Sequence, residues 1–175
     1  EAVAAAIDTG IAALSIEDAS GVADAPLRPI DDAVARLRAA RAAIDQAGGE
    51  VLLVGRAENF FVGVPDLHDT LRRLRAYAEA GADVLYAPGI STPEQIRAVV
   101  AAAGSTPVNL LVGGPTPLNL KDIAALGVRR VSLGGALARA AWGGLMQATR
   151  PIVQDGRFDG LQQAAPGATL NALFQ

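Results

Sequence analysis

The sequence predicts an α/β protein built on a mostly parallel sheet. Five short apolar runs alternate with longer segments whose apolar residues recur at helical spacing. No two runs are joined by the short Gly- or Asn-rich link of a hairpin. Strands that are each followed by a helix need crossover connections, and crossovers leave neighbouring strands parallel with helices packed outside them. The 175 residues are 51% hydrophobic and 19% charged, which suits one globular domain with a sizeable core.

Residues 1–7 read as a helix that ends near Gly10, where a left-handed cap suits glycine. The chain opens with Glu1 rather than Met, inside this pattern, so a missing N-terminal portion is expected. Residues 11–17 form the first strand and 30–47 a helix, with Val34, Leu37 and Ile44 on one face and Gly48-Gly49 as its break. A strand over 51–56 leads through a loop to a helix over 67–80, which Gly81 ends. Residues 83–87 are the third strand. Thr92-Pro93 then supplies a capping hydroxyl and a proline at the first helical position, for a helix to about Ala103. Strands over 107–112 and 128–133 flank a short helix over 120–126, a helix over 136–147 follows, and 157–174 reads as an irregular helical tail.

Periodicity alone leaves two architectures open. A five-stranded doubly wound sheet fits the length, whereas a complete eight-unit barrel needs about 250 residues, of which five units would be present here. In either fold, ligands gather at the C-terminal ends of parallel strands. Polar side chains collect at those ends: Glu17 and Asp18, Arg56, Glu58 and Asn59, Asn109, and Ser132. Alternation puts Ala13, Ser15 and Glu17 on one face of the first strand, with Leu14 and Ile16 on the other. Arg56 and Glu58 likewise share a face.

Several chemistries are excluded. The formal charge is −3 with no concentrated basic stretch, which argues against nucleic acid or a basic membrane-surface helix. No apolar run approaches the ~18 residues of a membrane span, so a soluble, cytoplasmic protein is expected. There is no Cys, one His (His68) and one Lys (Lys121), both at expected helix starts. Zinc sites, thiol catalysis and a Schiff-base lysine therefore lack candidates.

What remains is oxygen-ligand and guanidinium chemistry. The planar fork of Arg56 matches a carboxylate or phosphate. Glu17 and Asp18 are hard oxygen ligands suited to Mg²⁺, which could polarise an α-keto acid and stabilise an enolate. The same groups also read as a strand-end ion pair with no ligand.

The runs Leu14-Ser-Ile-Glu-Asp18, Gly55-Arg-Ala-Glu-Asn59 and Gly81-Ala-Asp-Val-Leu-Tyr-Ala-Pro-Gly89 resemble the isocitrate lyase/phosphoenolpyruvate mutase superfamily. Pro107-Val-Asn109 and Arg130-Val-Ser-Leu-Gly134 continue the likeness in order. The resemblance implies a Mg²⁺-dependent (βα)8 TIM-type barrel. This chain would hold roughly its last five strand-helix units (1–156), followed by a helical tail (157–175) exchanged between subunits of a homo-oligomer, a dimer or tetramer. It implies that Glu17 serves the metal with Asp18 beside it, that Arg56 holds the substrate carboxylate, and that Glu58 and Asn109 face the site.

Departures accompany the likeness. The segment 19–29, where the superfamily has its gating loop, lacks both the Cys-bearing sequence of the lyases and the Lys and Asn of the phosphonopyruvate enzymes. Pro88 stands near where relatives carry Glu or His. The aspartates that complete the metal site would lie upstream. The resulting expectation is a Mg²⁺-dependent lyase that cleaves or decarboxylates a small α-keto or 2-hydroxy acid through an enolate, with Glu17 and Arg56 as its catalytic residues. The alternatives are a non-catalytic α-keto acid or dicarboxylate binding protein, or a phosphonopyruvate- or phosphoenolpyruvate-type mutase or hydrolase. An open-sheet receiver module is disfavoured because its last strand should end in Lys, and this one ends Ser132-Leu-Gly-Gly135.

Overall fold

The computed structural model describes residues 1–48 and 51–174. Five strands, β1 (Ala13–Glu17), β2 (Leu52–Arg56), β3 (Val84–Tyr86), β4 (Val108–Leu111) and β5 (Arg130–Ser132), form one sheet in sequential order. Every pairing is parallel. Helix α1 (Ala2–Ile7) precedes the sheet; α2 (Ile30–Gln46), α3 (Leu67–Glu79), α4 (Pro93–Ala103) and α5 (Leu120–Ala125) are its crossovers. Doubly wound sheets reverse their strand order at a switch point. This sheet has no reversal, so the crossovers progress in one direction.

One face of the sheet meets those helices. Leu53, Leu85, Val108 and Leu110 point outward into a core shared with Leu37 and Ile44 of α2, Leu74 and Tyr77 of α3, and Ile96 and Val99 of α4. The buried residues of α2, namely Ala33, Leu37, Ala40 and Ile44, recur every three or four positions, as an amphipathic helix requires. Gly55 allows α3 to approach β2: a Cβ there would lie 2.9 Å from Tyr77 Cβ and 3.1 Å from Ala82 Cβ. Helix starts follow local chemistry. Asp66 caps α3, and Thr92 with Gln95 and Asn119 with Asp122 form reciprocal capping boxes on α4 and α5. His68 and Lys121 are exposed in the first turns of α3 and α5.

The structure also departs from the expected elements. The expected Gly48-Gly49 break is described only to Gly48, which has a φ of +62°, and Gly49 lies outside the described residues. Helix α6 (Ala136–Asp155) runs past the expected end at 147 and carries Pro151 within it. It stops at Gly156, whose left-handed conformation accepts the turn that other residues resist.

The chain divides into two compact units, Glu1–Ser132 and Leu133–Gln175. The second unit holds α6, a 3₁₀ helix (Asp159–Gln163) and α7 (Gly167–Ala172); Gln175 lies outside the described residues. Leu137, Trp142, Leu145 and Met146 of α6 are exposed. Among the described residues, no helix is long and apolar enough to cross a membrane.

Candidate functional site

The face of the sheet opposite the helices carries the polar groups. Strand alternation turns Ala13, Ser15 and Glu17, then Leu52, Val54 and Arg56, to the side away from the core residues of the same strands. The register then lines up one residue from each strand: Glu17 pairs with Arg56, Arg56 with Tyr86, Tyr86 with Asn109 and Asn109 with Arg130. These five residues form a transverse row that begins at the strand ends of β1, β2 and β3 and finishes at the first residue of β5. A concavity of about 260 Å³ lies against this face, lined by Val54, Val84, Tyr86, Asn109 and Arg130 among others.

Arg56 is the most constrained member. Its Nε donates a hydrogen bond to Glu58 Oε1 and lies 3.5 Å from Glu17 Oε2. Its guanidinium stacks 5.1 Å from the ring centroid of Tyr86 and 5.9 Å from that of Phe61. Cation–π contacts of this kind hold a planar cation in one orientation. Burial opposes the Arg56 charge, but the hydrogen bond to Glu58 and the charges of Glu58 and Glu17 outweigh it and raise the guanidinium pKa. The opposite balance holds for Glu58, where burial prevails over Arg56 and pushes the carboxyl upward. Glu58 is buried, whereas half of the Glu17 side chain is exposed.

Asn109 is buried and anchored on two sides. Its Nδ2 donates to Ser132 Oγ at 2.9 Å, and its Oδ1 accepts from Arg130 Nη1 at 2.8 Å. The structure therefore brings Glu17, Arg56 and Glu58 together as a cluster and places Asn109 two strands away on the same row.

Asp18 is not among them. Its neighbour Glu17 lies on the face that carries Arg56, while Asp18 is buried behind the strand end. Asp18 Oδ1 accepts from the Glu58 backbone N–H at 2.8 Å. Asp18 Oδ2 accepts from Arg73 Nη1 at 3.1 Å and from the Tyr77 hydroxyl at 2.5 Å. Both oxygens are taken by donors on α3 and the β2 loop, so Asp18 does not present a free carboxylate beside Glu17 in this structure. Asp18 is a buried anchor that ties the end of β1 to α3 and to the loop holding Glu58. Asp69 continues this network, accepting from Arg73 Nε at 2.6 Å and Asn59 Nδ2 at 2.9 Å.

The residues present do not make up a Mg²⁺ site. No group of three His, Cys, Asp or Glu among the described residues could hold a metal ion. Within this cluster Asp18 is saturated and Glu58 is bound to Arg56, which leaves Glu17 as the accessible carboxylate. Mg²⁺ is usually held by one or two carboxylates with waters and substrate oxygens completing its octahedron, so Glu17 could contribute one ligand but is not by itself a complete site.

Sequence reasoning missed Tyr86, Phe61, Arg73, Tyr77 and Arg130 as parts of this region. Arg130 alternates with Ser132 on a short strand, a period-two signal that was readable. The pairing of Asp18 with Arg73 spans 55 positions and left no local signal.

The chain matches the model of the phosphoenolpyruvate phosphomutase family over residues 1–153. It is 34% identical over 130 residues to an oxaloacetate decarboxylase from Bradyrhizobium sp., an alignment covering 71% of this chain and 42% of that protein. A phosphoenolpyruvate phosphomutase from Streptomyces hygroscopicus is 30% identical over 151 residues, covering 85% of this chain and 47% of that protein. Among solved structures, a candidate lyase/mutase from Burkholderia cenocepacia superposes with a TM-score of 0.92 at 46% identity, over 98% of this chain and 62% of that one. The structure of 2,3-dimethylmalate lyase, a member of the PEP mutase/isocitrate lyase superfamily, gives 0.79 at 25% identity, over 95% and 59%. The chain thus spans less than half the length of these two curated relatives. With the ordered strand-end motifs, the matching family model and the shared fold, this chain belongs to the phosphoenolpyruvate phosphomutase family.

Proposed function

We propose that the complete protein is a lyase that cleaves or decarboxylates a small α-keto or 2-hydroxy acid, with oxaloacetate as the representative substrate. The observation that carries this reading is Arg56. Its guanidinium is held at a strand end by Glu58 through Nε and stacked on Tyr86, which leaves the edge formed by Nη1 and Nη2 outside that bond. That edge is the part of the fork that grips a carboxylate in two parallel hydrogen bonds. In decarboxylation the C–C bond to the β-carboxylate breaks, CO₂ leaves, and the electron pair remains as an enolate that a proton converts to the α-keto acid. Arg56 holds the retained carboxylate, Glu58 and Tyr86 fix its orientation, and Glu17 faces the reacting end. Bound Mg²⁺ would supply enolate stabilisation, and the described carboxylates do not by themselves form its site.

Support for the wider architecture comes from the unreversed parallel strand order, which fits one arc of a (βα)8 barrel. Homo-oligomer formation through residues 157–175, as dimer or tetramer, belongs to the same proposal, as does a cytoplasmic location. The test is steady-state assay of the full-length protein on oxaloacetate, with pyruvate as product. Native turnover with a loss of at least about 100-fold in Arg56→Ala supports the reading. No turnover of any α-keto or 2-hydroxy acid overturns it.

A second reading, a binding protein without turnover, is favoured by the loop between β1 and α2. An isolated bridge pairs Ala19 with Leu27, and Ser20 Oγ is engaged within the loop, donating to the Ala25 carbonyl at 2.5 Å and accepting from Val22 N–H at 2.9 Å. The Ser20 hydroxyl is thereby occupied by its own loop. Calorimetric binding of oxaloacetate with zero turnover would select this reading.

A further inference from the structure

We infer that Arg130 is a second anion anchor on the same face, which selects substrates carrying a second carboxylate. The inference rests on the reading of Arg56 as the first anchor and assigns a new residue to the opposite end of the row. Arg56 and Arg130 are both cationic, yet their surroundings differ. Arg56 is met by two carboxylates, Glu58 and Glu17. Arg130 forms no ion pair among the described residues; its partner is the neutral amide oxygen of Asn109, at 2.8 Å from Nη1. That amide is itself fixed, because Asn109 is buried and its other end is tied to Ser132. Arg130 is thus preorganised by a neutral group and keeps its full positive charge for a ligand.

The surroundings raise the value of that charge. Arg130 lines the concavity with Tyr86 and Asn109, over a floor of Leu52, Val54 and Val84. Apolar walls strengthen attraction for an anion relative to open water. Arg56 and Arg130 lie three strands apart, roughly 14 Å along the sheet at the usual strand spacing; the Arg56 guanidinium extends over Tyr86, and the Arg130 guanidinium is held at Asn109 on the next strand. A molecule with a carboxylate at each end meets one guanidinium with each. A monocarboxylate such as pyruvate meets only Arg56.

The test compares native full-length protein with Arg130→Gln and Arg130→Lys, using calorimetry with malonate, succinate and pyruvate. Unfolding midpoints confirm that each variant is folded. The expected result is a rise of tenfold or more in the dicarboxylate Kd for Arg130→Gln, a smaller rise for Arg130→Lys, and pyruvate affinity within threefold of native. Equal weakening of mono- and dicarboxylates, or no change, overturns the inference while leaving the Arg56 reading intact. A native protein that binds pyruvate and neither dicarboxylate also overturns it. A protein that turns over no α-keto acid but shows Arg130-dependent dicarboxylate binding sinks the proposed reaction and keeps this site.

Discussion

Removing the Asp18 carboxylate tests whether the site rests on a buried anchor. Asp18 is 1% exposed and accepts three hydrogen bonds, from Glu58 N–H, Arg73 Nη1 and the Tyr77 hydroxyl. Taking one partner out of a buried ion pair costs about 3–5 kcal/mol, because the other charge is left uncompensated. Arg73 keeps Asp69 at 2.6 Å and the Arg28 carbonyl at 2.9 Å, which places its share at the low end of that range. The Tyr77 hydroxyl and the Glu58 amide then lose their acceptor, each worth about 1–3 kcal/mol when buried unsatisfied. Taking each contribution at its low end, an overall loss of about 5 kcal/mol is expected for Asp18→Ala. With a urea m-value near 2 kcal/mol/M, the midpoint falls by about 2.5 M. Asp18→Asn keeps one accepting oxygen and sets an amide N–H against a donor, so its loss is intermediate. The assay is urea unfolding followed by circular dichroism, with a double-mutant cycle against Arg73→Ala. A midpoint shift below about 0.5 M, or additivity of the two single losses, refutes the reasoning.

Three further outcomes follow from the geometry. Gly55→Ala forces a Cβ against Tyr77 and Ala82 and is expected to cost about 1–3 kcal/mol in thermal unfolding; an unchanged midpoint would show that α3 yields. Burial disfavours the Asp69 charge, but hydrogen bonds from Arg73, Arg72 and Asn59 outweigh it and hold the carboxyl well below its unfolded value of about 3.9. A depressed folded pKa gives stability that is complete above the unfolded value and is lost as pH falls through the folded one. Stability should therefore decline below about pH 4, and Asp69→Asn should flatten that decline; an unaltered acid limb would exclude Asp69 as its source. Finally, Mg²⁺ titrated into the 175-residue chain should bind more weakly than about 1 mM, as expected of a single accessible carboxylate, and micromolar calorimetric binding would show that the carboxylates rearrange around the ion.

Much of the fold was legible because its signals are local. The starts of α3, α4 and α5 are written in Asp66, Thr92-Pro93 and Asn119, whose side chains satisfy the first amides of their helices. The alternation of Ser15 and Glu17 against Leu14 and Ile16 gave the faces of β1 correctly, because the pleat leaves no other arrangement. The end of α6 lies beyond the expected 147 because the helix tolerates Pro151 and its stopping signal is Gly156. Within the site, Arg56 and Glu58 were readable from two-residue spacing. The surroundings of Asp18 were not legible, because adjacent residues on a strand end face opposite sides and the carboxylate's partners on α3 are set by tertiary packing. Arg130 was passed over because its place beside Asn109 depends on strand register, which the sequence does not state.

The slope of the transverse row has a practical consequence for re-engineering this family. Its left end is built from residues at the tips of β1, β2 and β3, next to loops that can be exchanged between relatives. Its right end is the opening residue of β5, at the opposite end of its strand from those loops. Loop transplantation would carry over the grip on one end of a ligand and leave the measure of its length behind, so chimaeras made at loop boundaries should inherit the recipient's choice of chain length.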